Sequence, residues 1–221
     1  MKKIVLAIAF TVFSLNCAYA KFGAQLEYGA YEASHNDFSN IDKMSNVVRK
    51  SYSDDSNCFG VILFYEHPYG EEKKKRVGAE IGYRKYSDMS MDVLTNAYLQ
   101  IKSKSAAYSI PISLYYKYQP AKIFAFRFSG GINYIFHSWD TDFNSGLVSN
   151  KITNTAIDIT ASTGFEFYVL KNVSLGLDLG YSWGQLFSND DVRFDFRRGA
   201  ESKLFREIGG SSVRISARVY L

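Results

Sequence analysis

Three histidines are the residues best suited to proton transfer in this 221-residue chain: His35, His67 and His137. Nucleophilic hydrolysis needs a histidine within reach of a serine, with a carboxylate to orient it. The dipeptide His137-Ser138 supplies the right types, but adjacent residues of a strand face opposite sides, so a regular strand keeps them apart. Position 139 is Trp, so no Ser follows His137 two residues on. Asp190-Asp191 forms an acidic pair with no histidine beside it, and His35 and His137 read as solvated loop histidines. No His, Cys, Asp or Glu cluster has metal-ligand spacing, so the sequence assigns no catalytic residue, metal or cofactor.

A second set of chemically capable residues is ionic. Glu27, Glu80, Asp158, Glu166 and Asp178 share a strand face with small polar residues, as do Arg84, Lys117, Arg127, Arg214 and Arg218. The two signs balance at five each. If that face is enclosed, the charges must pair, because an unpaired buried ion costs several kcal/mol. The run from Glu71 to Arg76 reads instead as a solvated turn, with His67 in the same short turn.

The elements that hold these charges follow from period-2 alternation, which marks half-buried strands. Val173, Leu175, Leu177, Leu179, Tyr181 and Trp183 alternate with Ser174, Gly176, Asp178, Gly180 and Ser182. Similar patterns begin near residues 22, 77, 109, 124, 157 and 212. The stretch of about 57–66 is apolar on both faces, with Phe59, Val61, Leu63 and Tyr65 the bulkier set, so its register is the least defined of the eight. Eight strands result, joined by connections that alternate long and short: 32–56, 67–75, 87–105, 119–122, 140–153, 170–172 and 185–210. Transmembrane barrels combine an even strand number with short turns at one end and long external loops at the other.

Composition agrees. The chain holds 17 Tyr, 17 Phe and only 3 Pro. Aromatics gather near strand ends: Tyr83, Tyr134, Phe136, Trp139, Tyr181 and Trp183 toward the long loops, and Phe22, Tyr118, Phe124 and Phe167 toward the turns. Such girdles mark the two membrane interfaces. Residues 1–20 read as a signal peptide, with Lys2 and Lys3, an apolar run from Ile4 to Leu15, and Ala18-Tyr19-Ala20 at the cleavage site. Removal would leave residues 21–221 as one domain with net charge +2, which is +4 less the two lysines. That near-neutral balance gives no argument for nucleic acid. Cys17 would leave with the signal, so Cys58 has no intrachain disulfide partner.

On this pattern the mature chain resembles the eight-stranded outer-membrane β-barrel superfamily, with its opacity-type and OmpX-like surface proteins. Tyr108-Ser109-Ile110-Pro111 is similar to a strand segment with an internal proline found in several such families. The C-terminus resembles the assembly signal, with Arg214 in the polar place but Ser216, Val219 and Leu221 in place of glycine and two aromatics. The resemblance implies an all-β, up-and-down transmembrane barrel in the outer membrane, monomeric, inserted by the barrel-assembly machinery and surrounded by lipids and lipopolysaccharide. It implies a non-enzymatic role, with long loops meeting a host or envelope ligand. Lys43, Arg49 and Lys50 in the first loop, and Arg193, Arg197, Arg198, Lys203 and Arg206 in the last, could also bind lipopolysaccharide phosphates. The alternative class is a lipid-modifying enzyme or protease with its site at the outer rim.

Overall fold

The computed structural model describes residues 20–36, 47–54, 57–70, 74–95, 100–143, 148–189, 192–195 and 201–221, some near the strand ends as backbone only. The proposed signal segment 1–19 lies outside them, as do Asp190 and Asp191 and the side chains of His35, Trp139 and the loop cations named above.

Eleven strands are formed: β1 (Lys21–Asn36), β2 (Val47–Asp54), β3 (Asn57–Tyr69), β4 (Lys75–Tyr86), β5 (Met89–Thr95), β6 (Gln100–Ala121), β7 (Phe124–Phe143), β8 (Val148–Leu170), β9 (Val173–Asn189), β10 (Val192–Asp195) and β11 (Glu201–Tyr220). Eight of them close into an antiparallel ring, in the order β6, β4, β3, β1, β11, β9, β8, β7 and back to β6. Closure satisfies the backbone groups sideways, which hydrocarbon requires because it offers no hydrogen-bonding partner. First and last strands seal the wall, with Gly23 opposite Tyr220 and Ala30 opposite Val213. The Leu221 N–H donates to the Phe22 carbonyl at 2.8 Å.

The distribution of side chains is inverted relative to a water-soluble protein. Leu114 is 70% exposed and Leu63 60%, whereas Lys117 is 0% and Arg218 1% exposed. A soluble chain rarely leaves so continuous an apolar surface open, and almost never buries so many ions. Alternation on the apolar second element is settled as well: Phe59, Val61 and Leu63 point outward, and Cys58, Ile62, Phe64 and Glu66 inward. Glycines on the inner face make room for rings. A Cβ at Gly78 would collide with Tyr115, and one at Gly23 with Phe64.

The long connections expected as loops are largely strand. β7 and β8 stay paired through Asp140–Lys151 and Phe143–Val148, so only 144–147 separate them. β5 continues the stave of β4 beyond Ser87 and Asp88 and pairs with both β6 and β2. The outer halves of β7 and β8 carry polar residues on both faces and so lack the alternation that marks a half-buried strand, whereas β5 alternates in the opposite sense to the barrel wall, with Met89 buried and Ser90 exposed.

Candidate functional site: the charged lumen

All ten charges singled out from the sequence lie buried on the inner face: Glu27, Glu80, Arg84, Lys117, Arg127, Asp158, Glu166, Asp178, Arg214 and Arg218. Strand alternation points each inward, and closure brings together residues far apart in the chain. At the short-turn end, Lys117 Nζ on β6 is 2.5 Å from Glu66 Oε2 on β3 and 3.5 Å from Glu166 Oε2 on β8. The same ammonium donates to the hydroxyls of Tyr220 at 2.9 Å and Tyr168 at 3.0 Å. Glu166 also accepts from Ser174 Oγ at 2.5 Å and from the Tyr220 hydroxyl.

One layer up, Arg218 connects Glu166, 3.5 Å away, to Gln25, whose Oε1 accepts from Arg218 Nε at 2.6 Å. Arg127 sits between two carboxylates, 2.7 Å from Glu80 and 3.2 Å from Asp178. Ser113 Oγ donates to Glu80 at 2.7 Å. In the next layer Gln25 Nε2 donates to Glu27 at 2.9 Å, Glu27 pairs with Arg84, and Arg84 Nη1 reaches Asn133 Oδ1 at 3.1 Å. Arg214 lies 3.9 Å from Glu27, and Asp158 accepts from Ser182 Oγ. A continuous polar chain thus runs from Glu66 through Lys117, Glu166, Arg218, Gln25, Glu27 and Arg84 to Asn133. Each ion meets an opposite charge or a hydrogen-bond donor or acceptor, as burial demands.

Two apolar and aromatic clusters pack beside this chain. Tyr31, Cys58, Tyr86, Ala107 and Ile208 cluster on one side, with Tyr31 and Tyr86 edge to face at 5.5 Å. Phe64, Tyr115 and Tyr220 cluster on the other, with Phe64 and Tyr220 rings 5.1 Å apart. Between them, a cavity of about 20 Å³ beside Glu80, Arg84, Asn133 and Arg214 has room for about one water.

Several expectations need correction. Glu66 is wholly buried and belongs to the network, and Arg76 reaches it at 3.3 Å, so Arg76 is a mouth residue and not part of a solvated turn. His67 lies half-buried within β3. His137 is buried, not a solvated loop residue, because it continues the inward set of Asn133 and Ile135 on β7. Reading the second strand's faces from Gly60 and Cys58, the small residues on one side, would have found Glu66. Alternation does turn Gln25, Asn133 and Tyr220 inward with the charges, but their partners come from other strands and carry no sequence signal. Among the described residues no group of three His, Cys, Asp or Glu side chains could hold a metal ion.

No protein-family model and no curated protein matches the sequence. The solved structures similar to it share its fold at low identity. Outer-membrane protein OprG from Pseudomonas aeruginosa has a TM-score of 0.51 and 10% identity, over 91% of this chain and 95% of that one. Ail, the attachment invasion locus protein of Yersinia pestis, gives 0.47 and 12%, over 91% and 99%. Neisserial surface protein A gives 0.47 and 14%, over 90% and 97%. An apolar exterior, a hydrogen-bonded closed wall, an ion-paired interior and the likeness in fold to OprG together make this chain a closed eight-stranded antiparallel β-barrel with the apolar outer face of a membrane-spanning wall.

Proposed function

We propose that this barrel is a non-enzymatic recognition protein of the cell surface, anchored by a structural interior and binding through the strand edges beyond the membrane. One observation carries the reading. Among the described residues, β2 pairs with β5 alone, and β1 beyond Tyr31 pairs with β11 alone. The wall is therefore split between β1 and β2 above the last shared pair, Ala30 with Asn57. Among the described residues neither lip of that split has a strand partner on its open side, which makes each a template for an added strand. An extended segment of a host or envelope protein is the ligand such an edge takes. Backbone bonds would supply affinity, and alternate side chains specificity.

The ten charges of the lumen have a structural role in this reading. They cross-link the staves and exclude a water-filled path, since eight strands leave little bore once side chains fill it. His137, the strongest enzymatic candidate, is buried on the inner face rather than set at the rim. Residues 1–20 act as an export signal, the barrel-assembly machinery inserts the mature chain as a monomer, and lipopolysaccharide surrounds its outer half. Mass measurement of the purified protein tests the first of these, with a mature chain starting at Lys21 expected.

Proline placed singly at positions 49 to 52 tests the edge. Proline removes a donor, so positions whose N–H points away from β5 should lose binding of immobilised host-matrix and envelope proteins while the barrel still folds. Retained binding in all four folded variants would sink the edge as the recognition element.

A further inference from the structure

The outer wall carries a groove of about 490 Å³ at the short-turn end, lined by Lys75, Tyr116, Tyr118, Phe126 and Phe128. All five point outward from three neighbouring strands. Lys75 is opposite Tyr118, and Tyr118 opposite Phe126; one step deeper, Tyr116 is opposite Phe128. The groove's floor is propped from the far side, because the Phe126 ring packs at 4.6 Å against Phe124 and at 5.4 Å against Phe165. Its size falls in the range of small-molecule sites, and its walls are aromatic except for one ammonium.

We propose that this groove holds one anionic glycerophospholipid of the membrane's inner leaflet, its phosphate on Lys75 and one acyl chain along Tyr116, Phe126 and Phe128. Depth and charge select that occupant. The groove lies within a few residues of the turn at Lys122 and Ile123, where the wall leaves the membrane. Headgroups therefore lie beside Lys75, and hydrocarbon beside Phe128. On the adjoining connection Lys73 and Lys74 offset Glu71 and Glu72, and the next turn adds Lys122, so with Lys75 the balance is positive and favours a net negative headgroup over a zwitterionic one. Rings from two neighbouring strands line this open groove and give an acyl chain aromatic contact, since dispersion gains add atom by atom. The proposal rests on the membrane assignment and not on recognition at the outer strand edges, so either can fail alone.

Native mass spectrometry of the purified barrel in detergent, doped with phosphatidylglycerol or phosphatidylcholine of identical chains, tests it. The expected result is a single retained phosphatidylglycerol and little phosphatidylcholine. Lys75→Gln should lower phosphatidylglycerol occupancy about fivefold, the loss of one lysine at an anionic surface. Lys75→Arg should keep it, and Lys85→Gln at the opposite end of β4 should change nothing. Phe128→Ala should weaken both lipids, because it shortens the acyl slot. All four variants alter exposed side chains, and retained heat-modifiable mobility on gels verifies folding. Equal retention of the two lipids by the unaltered barrel, or unchanged retention by Lys75→Gln, would overturn the proposal.

Discussion

Lys117 Nζ on β6 and Glu66 Oε2 on β3 meet at 2.5 Å, with both side chains shut off from solvent. The pair joins two staves that are not neighbours in the wall, since β4 lies between them. It therefore ties two staves together past the one between them, which the wall's own hydrogen bonds cannot do.

Removing one partner should be costlier than removing both. Lys117→Met leaves Glu66 and Glu166 facing each other without their shared cation. Glu66 keeps Arg76 and Glu166 keeps Arg218, so a loss below the ~3–5 kcal/mol of an uncompensated buried charge is expected. Adding Glu66→Gln should recover part of that loss. Urea unfolding in phospholipid vesicles, run as a double-mutant cycle, measures the coupling; simple additivity would show that the pair does not act as a brace.

Which face meets lipid is decided on β9. Leu177 points outward and Asp178 inward, where it holds Arg127. Leu177→Arg should cost roughly 2–4 kcal/mol, as arginine does at a lipid-facing midplane position. Asp178→Asn should cost less, because Arg127 keeps Glu80. Unfolding of both variants in vesicles, beside refolding in plain buffer, checks the assignment. Equal costs, or a folded monomer in buffer alone, would reverse it.

Thiol chemistry reads orientation. Cys58 is buried and free, so it should resist an impermeant maleimide in the folded barrel and react once the barrel is denatured. In a Cys58→Ser background, a cysteine replacing Ser145 or Ser188 should label on intact cells. Labelling only after the outer membrane is ruptured would place the long hairpins on the periplasmic side.

A filled bore predicts an electrically quiet protein. The cavity beside Arg84 and Arg214 is about 20 Å³, far short of a water column. Planar bilayers containing the purified monomer should show no steady porin-sized conductance. A reproducible large conductance would mean that the ion-paired interior opens.

The fold was legible in the sequence because a membrane wall imposes one simple rule, apolar out and polar in, on every strand it contains. That rule identified Asp178 beside Leu177 and Arg218 beside Val219 without any knowledge of pairing. It was weakest on β3, where Ile62 and Phe64 make the inner face apolar too, and Glu66 was lost with it. It was silent on who meets whom. Gln25 reaches Arg218 across 193 positions of sequence only because β1 closes on β11. Beyond the membrane the rule lapses, which is why β5 and the outer halves of β7 and β8 read as loop.

The seam between β1 and β11 fixes an order of events. β1 is made first, yet one of its two edges stays unpaired until β11, the last strand, has been made. Gln25 and Glu166, contributed by earlier strands, likewise wait for Arg218. Contacts this distant in sequence make folding slow. The unfinished polypeptide therefore has every reason to aggregate and no means of closing by itself. A deletion confined to β11 should leave a product that is degraded rather than a smaller barrel.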